Sequence, residues 1–118
     1  MDTPKQLAKK WIKALRSGKY PKAQSALVVD EENGRGYCCL GVLCEVSKKQ
    51  FGLEITKFKS DLAYSSSGRK YDKFPPPVVK NFLRLGNKQE HLAEMNDSEN
   101  KDFTEIADYI EKEILPTL

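Results

Sequence analysis

The sequence has little of several features that mark whole classes of protein. No apolar run approaches the roughly 20 residues that a membrane-spanning helix needs, so we expect no membrane segment. The chain has one histidine, one tryptophan and three cysteines in 118 residues. All three cysteines lie between positions 38 and 44, whereas a secreted disulfide framework uses an even number spread along the chain. Reduced thiols, and therefore a cytoplasmic protein, are expected.

The N-terminal segment and the composition indicate an ordinary globular protein. MDTPKQLAKKW has charges and a tryptophan where a secretory signal would have an apolar core, so we expect the chain to stay in the compartment where it is made. Hydrophobic residues make up 39% and charged residues 31%, which is not the composition of a disordered chain. The length is that of one compact domain, and we predict a single domain over residues 1–118.

Charge is distributed unevenly along the chain. Residues 1–59 hold 12 Lys/Arg against 6 Asp/Glu, whereas residues 60–118 hold 8 against 11. Such an asymmetry can mark a surface that binds a charged partner. Solvated faces of helices give the same pattern, and we favour that interpretation.

Capping residues predict the first and last helices. Thr3 and Pro4 are typical of the start of a helix, and Gly18 follows its end. Asp102 with Glu105 three residues later is the pattern of a capping box. Both segments carry apolar residues at helical spacing, which predicts amphipathic helices.

Between these helices the pattern predicts further helices and a small sheet. Residues 38–51 are predicted to be helical and to end near Gly52, and FPPPVVKNFLRLG predicts a short helix after a proline entry. Residues 53–71 alternate apolar and polar positions around the turn SSSG, as antiparallel strands do. EHLAEM, residues 90–95, is predicted to be another short strand. The predicted fold is α+β, mainly helical, with an antiparallel sheet of two to four strands.

One combination of motifs resembles a group of small, uncharacterised bacteriophage and prophage proteins. The shared pattern is a tryptophan helix that ends in ALRSGKY, then a glutamine, then CCLGVLC; its positions here are Trp11, Ala14, Leu15, Ser17, Gly18, Tyr20, Gln24 and Cys38 to Cys44. FPPPVVKNFL and LAEMNDSENKDFTEIADYIE also match the group. The segment Lys57 to Lys73 departs from the pattern. The resemblance implies phage origin and an accessory function in the host cytoplasm, such as interference with a host defence pathway.

The segment GYCCLGVLCE is best explained as a buried core helix. Free cysteine packs as a small hydrophobe and is often fully buried. Gly41 costs up to about 1 kcal/mol relative to alanine inside a helix, which suggests close approach by another backbone or by the ring of Trp11 or Tyr37.

A zinc site is the first alternative for these cysteines. Three cysteines and His91 match a Cys3His ligand count. Their spacing argues against it, because Cys39 and Cys44 would point about 140° apart on a helix. We therefore predict no metal and no other cofactor.

A cysteine hydrolase is the second alternative. Cys38 or Cys39 would lie near a helix N-terminus, where the helix dipole lowers a thiol pKa. His91 follows, with Asn96 or Asp97 as an orienting group, which is the chain order of papain-like enzymes. No local signature of those enzymes is present, and we favour a protein without enzymatic activity.

Two groups of residues are candidates for binding a ligand. Arg69 and Lys70 follow the serine-rich turn, with Tyr64 near it, and cations beside hydroxyls and aromatic rings are the groups that contact phosphates and bases. Arg35 and Tyr37 complete the predicted nucleotide-binding set. Lysines on strands also protect sheet edges, and we favour that explanation for the basic turn.

The function predicted from the sequence is therefore binding. We expect the partner to be a host protein or a small nucleotide that the protein sequesters, with nucleic acid a less favoured ligand. A homo-oligomer is compatible with the sequence.

Overall fold

The computed structural model describes all 118 residues and has five α-helices and five strands, which confirms the predicted α+β class. The helices are α1 (Pro4–Arg16), α2 (Cys39–Phe51), α3 (Pro77–Phe82), α4 (Lys88–Asn96) and α5 (Phe103–Glu113), followed by a 3-10 helix over Leu115–Thr117. The strands are β1 (Val28–Glu31), β2 (Gly34–Tyr37), β3 (Glu54–Phe58), β4 (Asp61–Ser66) and β5 (Arg69–Tyr71).

The predicted capping residues start α1 and α5. The Thr3 hydroxyl accepts a hydrogen bond from the Gln6 amide, and the Gln6 side chain accepts one from the Thr3 amide. Asp102 and Glu105 make the same reciprocal pair at α5. These bonds satisfy amides that the helix itself leaves unpaired. The two helices pack against each other through their apolar faces.

Helix α2 lies at the centre of the core. Every residue from Cys38 to Cys44 is buried. The helix contacts α1, α3 and α4, and it ends at Gly52, whose φ of 65° closes it in the left-handed region. Trp11 Nε1 donates a hydrogen bond to the Cys39 carbonyl at 2.9 Å. The burial expected of GYCCLGVLC is thus confirmed.

Gly41 packs against backbone rather than against a ring. A Cβ at this position would overlap the carbonyl oxygen of Leu27. The backbone of the segment before β1 can therefore lie directly against α2, because the helix has no side chain at position 41.

The strands form two small antiparallel sheets. Strands β1 and β2 make a hairpin with Val28 opposite Tyr37, and β3, β4 and β5 form a three-stranded meander. The Asp30 amide donates to the Asp61 carboxylate at 2.9 Å, which joins the two sheets.

The prediction of a strand at residues 90–95 is wrong. These residues lie in α4, which buries Leu92, Met95 and Asn96 on one face. Six residues with three apolar positions are too short a segment for periodicity to separate a strand from a short amphipathic helix. His91 is therefore on a helix and not on a strand.

One hydrophobic core joins the helices to both sheets. It contains 25 buried residues, drawn from all five helices and from strands β1, β2 and β4. No helix is both long enough and apolar enough to cross a membrane.

Candidate functional site

The three thiols are enclosed in the core. Cys39 and Cys44 are fully buried, and Cys38 is 5% exposed. Burial raises the pKa of Cys38 to about 11, although hydrogen bonds from the amides at the start of α2 act in the opposite direction. Burial also raises the pKa values of Cys39 and Cys44. The helix N-terminus does favour a thiolate here, but desolvation is the larger effect.

The structure places the candidate partners of a catalytic cysteine in separate environments. His91 is exposed, packs its ring against Tyr109 at a centroid distance of 5.0 Å, and makes no hydrogen bond with a thiol. Asn96 is fully buried, and its Oδ1 accepts a hydrogen bond from the Cys39 amide at 3.0 Å. Asp97 accepts from the Ser25 amide at 3.0 Å. Asn96 and Asp97 thus hold the backbone and do not orient an imidazole.

One group of metal-ligating side chains converges on the surface. The ligand atoms of His91, Glu94 and Glu99 lie within 4.8 Å of one another, and all three residues are exposed. No cysteine belongs to this group, so the structure does not assemble the Cys3His set.

The predicted ligand-binding residues divide into buried and exposed sets. Tyr64 is fully buried and Tyr37 is 9% exposed, so neither ring presents an open face for stacking. Arg35 is exposed on β2. Arg69 and Lys70 are exposed on β5, which is an edge strand of its sheet.

A groove between α1 and α2 has five lysines in its lining. It has two adjoining hollows that share Lys10 and Val46. The smaller, which we call the lysine hollow, has a volume of about 330 Å³ and is lined by Lys10, Lys13, Ala14, Ser17, Lys19, Tyr20 and Val46. The larger, which we call the mixed hollow, has a volume of about 580 Å³ and is lined by Met1, Asp2, Lys10, Glu45, Val46, Lys48, Lys49 and Gln50.

The two hollows differ in charge. The lysine hollow has three lysines and no carboxylate. The mixed hollow has two carboxylates, each paired with a lysine: Asp2 with Lys10 at 2.8 Å, and Glu45 with Lys48 at 2.9 Å. Lys13, Lys19 and Lys49 have no ion-pair partner and are exposed.

Aromatic contacts hold one wall of the groove. The ring of Tyr20 meets that of Tyr37 edge to face, with centroids 5.5 Å apart.

Behind the mixed hollow, the buried hydroxyl of Tyr64 donates to a Glu45 oxygen at 2.6 Å. Burial is the larger cause and this hydrogen bond the smaller cause of a raised pKa at Tyr64. The phenol therefore stays protonated and remains a donor.

The sequence contains the parts of this groove but not their assembly. Lys10 and Lys13 lie on the basic face of α1, and Lys48 and Lys49 lie at the end of α2. They come together because α1 and α2 pack side by side. A signal was present in Tyr20, which is part of the SGKY motif and lines the lysine hollow.

One comparison with known proteins gives a match. The family model described as a domain of unknown function (DUF8296) matches residues 3–89, well over half of the chain. This range includes α1, α2 and every residue that lines the groove, except Met1 and Asp2. No curated protein and no solved structure matches the chain.

Proposed function

This chain belongs to the DUF8296 family, and we propose that it is a non-enzymatic binding protein whose ligand is a small molecule carrying phosphate. The observation that carries the proposal is the groove between α1 and α2, with its three lysines and no carboxylate at one end. Ammonium groups supply several donors and a fixed positive charge, which is the chemistry that holds a phosphate.

The shape of the groove supports a small ligand. Hollows of about 330 and 580 Å³ fall in the range of sites that take small molecules, which is roughly 300–1,000 Å³. Ala14, Val46 and Tyr20 give the lysine hollow apolar lining beside its charges. A phosphate with an organic group attached would use both features.

The state of the thiols supports binding rather than catalysis. A nucleophilic cysteine needs access to substrate and a lowered pKa, and all three thiols are buried with raised pKa values. The groove itself has lysines but no histidine or cysteine.

The biological setting of the proposal comes from the sequence. The resemblance to small phage proteins and the three free cysteines support an accessory protein that acts in the host cytoplasm. There it would interfere with a host defence pathway by sequestering a nucleotide signal. We prefer this to capture of a host protein because the favoured surface is a small, charged hollow.

The test compares two double substitutions that each remove two exposed lysines, one pair inside the lysine hollow and one pair outside it. Lys13→Ala with Lys19→Ala removes the unpaired charges of the lysine hollow, whereas Lys5→Ala with Lys9→Ala removes two exposed lysines of α1 that do not line it. Calorimetric titration with adenosine monophosphate and with ribose 5-phosphate measures the affinity of each protein.

We expect the first pair to weaken binding at least tenfold and the second to change it less than twofold. A shared loss would mean that only net charge matters, and equal affinity of all three proteins would place the ligand elsewhere. Absence of binding by the unmodified protein would reject a phosphate-bearing ligand.

A further inference from the structure

We infer that Glu45 selects the class of ligand: a phosphate monoester whose other end carries hydroxyl donors, such as a nucleoside monophosphate or a sugar phosphate. This inference rests on the proposed function, since it concerns the same groove. It assigns the phosphate to the lysine hollow and the polyhydroxylated part to the mixed hollow.

Two hydrogen bonds fix the Glu45 carboxylate in the wall of the mixed hollow. One oxygen accepts from the Tyr64 hydroxyl at 2.6 Å, and the other accepts from Lys48 Nζ at 2.9 Å. The side chain is 15% exposed and projects from α2, so it is held by a rigid element. Tyr64 is fully buried, so the core holds the phenol that donates to this oxygen.

The anchored carboxylate still has acceptor capacity. An ionised carboxylate offers about four lone-pair sites, and Tyr64 and Lys48 use two of them. Those that remain can accept hydrogen bonds from ligand hydroxyl or amine groups. A vicinal diol, with two donors side by side, suits such an acceptor.

The same carboxylate disfavours a second phosphate. Like charges held close together repel one another, and the half-buried position of Glu45 reduces solvent screening. Lys48 is already paired with Glu45, and Lys10 is paired with Asp2, so two of the lysines in the mixed hollow are compensated. A chain of phosphates that extends from the lysine hollow would therefore meet two carboxylates and a single lysine without an ion-pair partner, Lys49, which is a less favourable environment than the lysine hollow.

Three probes separate the parts of this inference. Tripolyphosphate has phosphates alone, ribose 5-phosphate has one phosphate and hydroxyls, and adenosine monophosphate adds an aromatic base. Each is titrated calorimetrically into the unmodified protein and into Glu45→Gln, which removes the charge but keeps an oxygen that can accept from Tyr64. Glu54→Gln is the matched control, because Glu54 is exposed on β3 and does not line the groove.

We expect Glu45→Gln to bind tripolyphosphate about fivefold more tightly than the unmodified protein does. Its affinities for ribose 5-phosphate and adenosine monophosphate should fall by a factor of about two or more. Glu54→Gln should change none of the three affinities. Tyr64→Phe removes one anchor but keeps the charge, so it should leave tripolyphosphate weakly bound. Comparison of the two ribose phosphates shows whether the base adds affinity.

The outcomes distinguish this inference from the function on which it rests. If all three probes bind more tightly to Glu45→Gln by the same factor, Glu45 contributes only a general field and the inference is overturned while the binding function stands. Unchanged affinities for Glu45→Gln would overturn it in the same way. If no probe binds the unmodified protein, both are overturned.

Discussion

Asn96 Oδ1 accepts a hydrogen bond from the Cys39 amide at 3.0 Å, so the end of α4 satisfies the buried start of α2. The Asn96 Nδ2 group donates to the Ala23 carbonyl at 2.9 Å and to the Asp97 carboxylate at 2.8 Å. One fully buried side chain therefore ties together α2, α4 and the segment before β1. Asn96 and Asp97 of the LAEMND motif therefore have a structural role, since their side chains hydrogen-bond to backbone groups and to each other.

Asn96→Ala should lower the free energy of unfolding by about 2–4 kcal/mol, because it leaves the buried Cys39 amide and the partly buried Ala23 carbonyl without partners. Equilibrium denaturation in urea measures the change. Gln24→Ala is the comparison, since the Gln24 amide also donates two hydrogen bonds but the residue is exposed, and its loss should cost less than about 1 kcal/mol. Similar losses for both variants would contradict the structural role of Asn96.

The sequence predicted the start of a helix correctly where a capping residue marks it. Thr3 and Asp102 cap helices whichever core the helices build, so α1 and α5 begin as the sequence indicates. Helix α4 lacks such a signal: its N-cap residue, Asn87, makes no side-chain capping bond. Its helical conformation buries Leu92 and Met95 in the core where α4 contacts α2, and that burial depends on the rest of the chain.

The groove could be predicted less well than the fold. Lys13 and Lys49 are ordinary exposed lysines in the sequence, and they become neighbours of one groove only when α1 packs beside α2. Tyr64 and Glu45 are 19 positions apart and lie on a strand and a helix. No periodic pattern links such positions, because the contact is set by tertiary structure.

Gly41→Ala, inside α2, should destabilise the protein more than Gly52→Ala at the end of the same helix. The added Cβ would overlap the Leu27 carbonyl, which is backbone and cannot move without shifting the segment before β1. Forcing extra atoms into a packed core typically costs about 1–3 kcal/mol or more. Thermal denaturation followed by circular dichroism should show a fall of several degrees or more in the midpoint.

Gly52→Ala is the matched control for Gly41. Its φ of 65° makes alanine unfavourable by about 1 kcal/mol, but no atom lies within 4 Å of the added Cβ. If the two alanine variants lose equal stability, close packing on Leu27 is not the reason for the glycine at position 41.

Arg16→Ala should have a small effect despite its two acidic partners. Arg16 lies 2.8 Å from Asp108 and 3.1 Å from Glu111, but all three side chains are substantially exposed. Exposed ion pairs usually contribute no more than about 1 kcal/mol, and salt screens them. The loss measured by urea denaturation should shrink further in 1 M sodium chloride; a loss above 2 kcal/mol would indicate that Arg16 has a packing role between α1 and α5.

The thiols should stay unreactive in the folded protein and make it less stable at alkaline pH. A buried thiol with a raised pKa binds its proton more tightly in the folded state than in the unfolded state. Its contribution to stability is therefore complete below about pH 8.5, the pKa of a free thiol, and is lost as the pH rises through the folded value. For Cys38 that value is about 11.

Alkylation followed by mass spectrometry should label Cys38, Cys39 and Cys44 only after denaturant is added.

Between pH 9 and pH 11 the free energy of unfolding should fall, and Cys38 alone should account for about 2 kcal/mol of the loss. Cys38→Ser tests this share, because serine is a good helix N-cap and does not titrate in this range. Urea denaturation of the variant at pH 9, 10 and 11 should show a shallower decline than that of the unmodified protein. Parallel declines would mean that Tyr64 and the other two thiols, whose pKa values burial also raises, account for the alkaline sensitivity. Rapid native labelling of Cys38 with a pKa below 8 would instead revive the hydrolase hypothesis and require an activity screen of His91 variants.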